Sequence, residues 1–117
     1  MNSVGKNGEN IAYNYLTKNG YNILEQNFKV IFGEIDIIAE KKNCISFIEV
    51  KSRMSKKYGL PEEAITIKKK NKIIKVAEYY IKKRRIKNKL YCFDVISIYF
   101  EKNILKELRH IKNAFNQ

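Results

Sequence analysis

The stretch Gly33-Glu34-Ile35-Asp36-Ile37-Ile38-Ala39, followed a few residues on by Ile45-Ser46-Phe47-Ile48-Glu49-Val50-Lys51, decides how this chain is read. Both segments are apolar runs interrupted by acids, with the composition of strands that bury one or both faces. Side chains alternate along a strand, so Glu34 and Asp36 share a face, as do Glu49 and Lys51. Ile45 and Phe47 continue the Glu49 face, so an apolar row runs directly into charge and Glu49 is expected to be at least partly buried. Buried carboxylates persist when they are paired or hold a cation. A lone Glu–Lys pair on a strand surface would contribute little. Acids embedded in two adjacent apolar strands point instead to a site.

The intervening Lys41-Lys42-Asn43 reads as a hairpin connection. An even number of loop residues sets Asp36 across from Glu49 and gathers the acids on one face. An odd number sets Asp36 across from Ile48 and scatters them, because a one-residue slip flips every side chain. A bulge would restore the match.

Upstream, Ile11, Ala12, Tyr15 and Leu16 repeat at helical spacing, and Asn19-Gly20 ends that helix, Gly20 suiting a left-handed cap. Glu9 lies three residues before Ala12 and seven before Leu16, which at about 100° per residue sets it on the apolar edge. Such a carboxylate needs a partner, although an acid in a first helical turn is also favoured by the helix dipole. Tyr21 to Val30 reads as a strand, and residues 52–61 as a polar loop holding the single proline. A second helix is expected from about Glu62, with Ile73, Val76, Ala77, Tyr80 and Ile81 as its buried stripe. Its lysines, Lys68, Lys69 and Lys72 among them, are expected off that stripe. Tyr91 to Phe100 and Ile104 to Ile111 complete the chain as strands. The order is helix, three strands, helix, two strands. At 117 residues this is an α/β chain with room for one domain, taken as residues 1–117.

The formal net charge is +12, and residues 51–90 hold fifteen Lys or Arg against Glu62, Glu63 and Glu78. The whole excess therefore follows directly after Glu49-Val50-Lys51. A local basic field concentrates polyanions and speeds their encounter, and phosphate backbones are its usual client. The alternative is a solvated basic surface that aids solubility. Arg53, Lys56, Lys57, Lys68, Lys69 and Lys72 are the expected backbone-reading cations. Cys44 and Cys92 lie in strand segments without metal-ligand spacing. No secretory signal or membrane-length apolar run is evident, so a cytoplasmic, membrane-free protein is expected.

Phosphodiester hydrolysis suits these residues. Mg²⁺ or Mn²⁺ takes carboxylate, carbonyl and water oxygens, and Asp36, Glu49 and the Val50 carbonyl would offer them. Lys51 would stand beside the attacking water or the phosphate, either orienting the nucleophile or compensating charge. Glu34, about 7 Å along the Asp36 face, would support the site from outside it. Asp94, flanked by Phe93 and Val95, reads as one end of a structural salt bridge, and His110 as peripheral.

The chain resembles the YraN-like family of small bacterial proteins, which is similar to the PD-(D/E)xK nucleases and especially to Holliday junction resolvases. The resemblance is carried by Gly8-Glu9 with Ala12 and Leu16, Asn27-Phe28-Lys29, Gly33-Glu34-Ile35-Asp36-Ile37-Ile38-Ala39, Phe47-Ile48-Glu49-Val50-Lys51-Ser52-Arg53, Pro61-x-Glu63-Ala64, Lys68 and Phe93-Asp94-Val95. It implies a restriction-endonuclease-like fold, a mixed sheet flanked by helices, with Asp36, Glu49 and Lys51 as the catalytic triad. It implies further that Glu9 adds a metal-binding carboxylate, that branched DNA is the substrate, and that a homodimer is possible. Ile35 stands where the superfamily name has proline, and Cys92 where the family often carries arginine. Two readings follow: a metal-dependent endonuclease on structured or branched DNA, or a non-catalytic nucleic-acid-binding module with a vestigial acidic site.

Overall fold

Five strands form a single mixed sheet in the order β1-β2-β3-β4-β5, with one helix on each face, in a computed structural model that describes residues 4–54 and 65–115. The elements are α1 (Val4–Lys18), β1 (Asn22–Val30), β2 (Gly33–Lys41), β3 (Cys44–Arg53), α2 (Ile67–Lys83), β4 (Leu90–Glu101) and β5 (Ile104–Phe115). The expected order of elements holds. Neighbouring strands are antiparallel except β3 and β4, which run parallel across the α2 connection.

Local chemistry explains the boundaries. Gly20 closes α1 at φ +87°, with its N–H donating to the Thr17 carbonyl and the Tyr21 N–H to the Leu16 carbonyl. That is the double hydrogen bond of a glycine-terminated helix. The second helix begins at Ile67; the expected start near Glu62 lies outside the described residues. Thr66 sets the start: its backbone is extended and its Oγ1 accepts from the Lys69 N–H at 3.1 Å. The β2–β3 turn has two residues, Lys42 and Asn43, between the paired Lys41 and Cys44. The even-loop register is therefore the one adopted, with Ile37 opposite Ile48.

Two apolar clusters sandwich the sheet. On the α1 side Ala12 and Leu16 pack on Ile37, Ala39, Ile48, Ile96 and Ile98. On the α2 side Ile73, Val76, Ala77 and Tyr80 cover Ile35, Ile38, Ile45, Phe47 and Val95. Each fully buried large side chain contributes about 1.5–3 kcal/mol, so this double burial fixes the position of both helices. Ile35 and Ile37 lie two residues apart yet belong to opposite clusters. Strict alternation along β2 therefore breaks at Asp36. The β2–β3 pairing ends at the same level, its last rung being Ile37 with Ile48. The two strands part where the acids stand.

Candidate metal and nucleic-acid site

Asp36 sits in this opening between β2 and β3. The Val50 N–H donates to its Oδ2 at 2.8 Å, a bond that replaces the missing ladder rung and orients the carboxyl. Burial pushes the Asp36 carboxyl up to about 7, helped by the neighbouring Glu49 carboxylate and by Glu9, while the Val50 N–H works the other way. Glu49 follows Ile45 and Phe47 on the α2 face and is only 6% exposed. The apolar row running into charge thus buries Glu49, as the strand pattern implies.

Two ammonium groups approach the same Glu49 oxygen, Oε2: Lys51 at 3.9 Å and Lys69 at 2.6 Å. The Lys51 contact is the Glu-x-Lys pair expected along one strand face. Lys69, exposed and expected among the phosphate-gripping cations, is thus paired with Glu49 here. Lys69 is four residues before Ile73 and seven before Val76, so it shares their helix phase and, although exposed, carries its ammonium to Glu49. That phase was available in the sequence but hidden by the run Lys68-Lys69-Lys70, in which the three side chains look alike. Burial lowers the Lys69 ammonium pKa, yet the hydrogen bond and charge of Glu49, with the charges of Asp36 and Glu34, raise it overall.

Glu9 comes from the other side of the sheet. Gly8 lies against β3, where a Cβ would run into Ser52 Oγ, so glycine lets the start of α1 press onto the strand. This brings half-buried Glu9 within electrostatic range of Asp36. Glu9 and Glu49 therefore reach Asp36 from opposite faces. Among the described residues no three acidic, histidine or cysteine side chains form a ready-made cation cage. The pair Asp36–Glu49 is the assembled core of the site, and Glu9 stands at its edge.

The donor chemistry fits a hard divalent cation. Burial first, and the neighbouring Glu49 carboxylate second, raise the Asp36 carboxyl well above the usual range, and a divalent cation held by both carboxylates would offset each of these costs. Asp36 and Glu49 would hold it, with the Val50 carbonyl and Glu9 as the further expected oxygens.

A groove of about 370 Å³, lined by Gly33, Glu34, Thr66, Lys68, Lys69 and Lys72, adjoins Glu49 through Lys69. Lys68 and Lys72 are exposed there, as expected of phosphate contacts, and Glu34 is exposed on the groove wall. Arg53 is half-buried at the end of β3. Lys56 and Lys57 lie outside the described residues. Ser97, buried and level with Lys51 on β4, is a polar neighbour that the sequence did not single out.

One further expectation changes. His110 is not peripheral: its side chain is 4% exposed, and Nε2 lies 2.7 Å from Asp94 Oδ2. An ionised carboxylate only accepts, so Nε2 carries the hydrogen, while Nδ1 lies 2.9 Å from the Tyr15 hydroxyl. The Asn113 N–H donates to Asp94 Oδ1 at 3.0 Å from a left-handed φ of +52°, at an irregularity in β5. Asp94 is thus a structural anchor, as expected, with a histidine as its partner. Cys44 and Cys92 are free thiols with Sγ atoms 2.8 Å apart, lining a separate cavity of about 480 Å³ near the start of β3.

A mixed five-stranded sheet flanked by a helix on each face, with acids at the parting of β2 and β3, is a restriction-endonuclease-like fold. The family described as "Uncharacterised protein family UPF0102", the YraN-like family, matches residues 8–98, and the chain belongs to it. A UPF0102 protein of Caldanaerobacter subterraneus subsp. tengcongensis is 50% identical over 115 residues, 97% of this chain and 94% of that protein. One from Clostridium botulinum strain Hall is 53% identical over 114 residues, covering 96% and 93%. A third, from Persephonella marina, is 52% identical over 112 residues, covering 96% and 92%. Among the described residues no helix is long and apolar enough to cross a membrane.

Proposed function

We propose that this protein is a Mg²⁺- or Mn²⁺-dependent endonuclease that hydrolyses phosphodiester bonds in structured or branched DNA in the cytoplasm. The observation that carries the reading is the pair of buried Glu49 and half-buried Asp36, set close together where β2 and β3 part, with Lys51 beside it. A bound divalent cation would supply charge neutralisation at the phosphate and ease deprotonation of the attacking water. The chain's own residues do the rest. The Val50 N–H keeps Asp36 turned into the opening, and the Ile45-Phe47 row keeps Glu49 fixed beneath it. Lys51, about a quarter exposed, reaches the space above Glu49 where a water or phosphate would stand. Lys68 and Lys72 line the adjoining groove and would hold the backbone on either side of the reacting phosphate.

The rival reading is a non-catalytic nucleic-acid-binding module. The close Lys69–Glu49 pair favours it, because an ion pair can satisfy a buried carboxylate without any metal. The experiment that separates them is single-turnover incubation with labelled duplex, flap, single-stranded and four-way-junction DNA in Mg²⁺, Mn²⁺ or EDTA. Metal-dependent cleavage of the branched substrates supports the endonuclease. Binding of all substrates without cleavage in any metal supports the rival. In either case, about six phosphate contacts would reduce affinity roughly 10³-fold between 50 and 200 mM salt.

A further inference from the structure

Lys69 differs from the other α2 lysines in where its charge is spent. Lys68 and Lys72 face open groove, whereas Lys69 Nζ is 2.6 Å from a carboxylate that is almost wholly buried. We propose that Lys69 is the resident counter-ion of the carboxylate pair, displaced from Glu49 by a divalent cation and then free to hold a substrate phosphate. The inference rests on the metal-dependent reading above and gives a residue of α2 a positioning role in it.

The geometry supports an exchange over a permanent lock. A cation bound between Asp36 and Glu49 needs Glu49 oxygens, and Lys69 occupies Oε2 at contact distance. A divalent cation and an ammonium within a few ångströms of each other also repel, so both cannot keep that place. Lys69 can leave cheaply. Its side chain is 47% exposed, its stem is flexible, and the groove lined by Glu34, Lys68 and Lys72 lies beside it. The helix itself need not move, because the Thr66 cap and the burial of Ile73 and Val76 hold its first turns. Lys51 does not meet these conditions: it stands 3.9 Å from the same oxygen on the rigid strand that carries Glu49. Metal entry would thus add a mobile positive charge to the groove, coupling metal and DNA binding in the same direction.

The test is a calorimetric Mn²⁺ titration without DNA of wild type, Lys69→Met, Lys69→Gln and Lys69→Arg, with DNA affinity then measured with and without Ca²⁺. Removing the competing ammonium should tighten Mn²⁺ binding about three- to tenfold in Lys69→Met and Lys69→Gln. Lys69→Arg should stay near wild type. The neutral variants should also show a larger Mn²⁺-induced rise in Tm and lose the gain in DNA affinity that Ca²⁺ gives wild type. A neutral glutamine retains hydrogen bonding, so that variant keeps the comparison open if methionine compromises folding. Equal Mn²⁺ affinity in wild type and both neutral variants overturns the inference and leaves the metal-dependent reading standing. Absence of Mn²⁺ binding by all four proteins removes both.

Discussion

Asp36 and Asp94 are both aspartates set in apolar strands on either side of β3, yet their surroundings are opposite. Asp94 is 1% exposed and fully provided for: His110 serves one oxygen and the Asn113 N–H the other. Asp36 receives one backbone N–H and faces a second carboxylate. The first arrangement stabilises a fold by tying β4 to an irregularity in β5. The second crowds two carboxylates into one partly buried place where the lysines Lys51 and Lys69 pair with Glu49 and Asp36 has no cation at contact distance among the described residues, which favours a proton on Asp36. Burial alone therefore does not single out a candidate site; a carboxyl held beside a second carboxylate does.

The largest effect expected from this contrast is on stability. Asp94→Ala strands His110 and the Asn113 N–H in the interior and should cost about 3–5 kcal/mol, the range for breaking a buried pair. Urea denaturation measures it. A loss below about 1 kcal/mol would show that Asp94 is not the anchor described.

The next effect concerns pH. Asp36 has its pKa raised from 3.8 to about 7, so between those values the folded protein keeps a proton that the unfolded chain has released. Without metal, the Asp36 contribution to stability should therefore be fully present below that window and be lost as pH rises through it. The drop should be about 2 kcal/mol, less than the full shift implies because Glu49 and Asp36 titrate together. Asp36→Asn should flatten the profile, and thermal melts across the window would show it. An unchanged slope in Asp36→Asn would remove the claim of a proton favoured on Asp36.

The smallest effect is on binding. Lys72→Ala should weaken DNA affinity only a few-fold, equally for all sequences, and reduce the salt slope by about one. Sequence-dependent losses would indicate base contacts in place of phosphate contacts.

The difference between the two aspartates was only partly legible in the sequence. The even-turn register was legible from local rules and holds as far as Ile37 opposite Ile48; the break in alternation and pairing at Asp36, which brings its carboxyl to Glu49, was not. The burial of Glu49 followed from Ile45 and Phe47 in the same row. The His110 partnership was not legible, because it depends on how β5 lies against β4, and a register irregularity near Asn113 sets that. The inward turn of Lys69 was written in the helix phase but masked by identical neighbours. The start of α2 at Ile67 turns on the single threonine cap Thr66, a signal the surrounding helix-forming pattern does not set apart.

The central claim is that Asp36 and Glu49 form a metal-dependent cutting site, and comparing Asp36→Asn with wild type tests it most directly. The measurement is single-turnover cleavage of the best branched substrate with Mn²⁺, beside binding of the same DNA. Wild type should cut, and Asp36→Asn should lose at least about 10²-fold in rate while binding DNA as well or better, since it removes a negative charge facing the phosphate. Equal cleavage by wild type and Asp36→Asn would contradict the account.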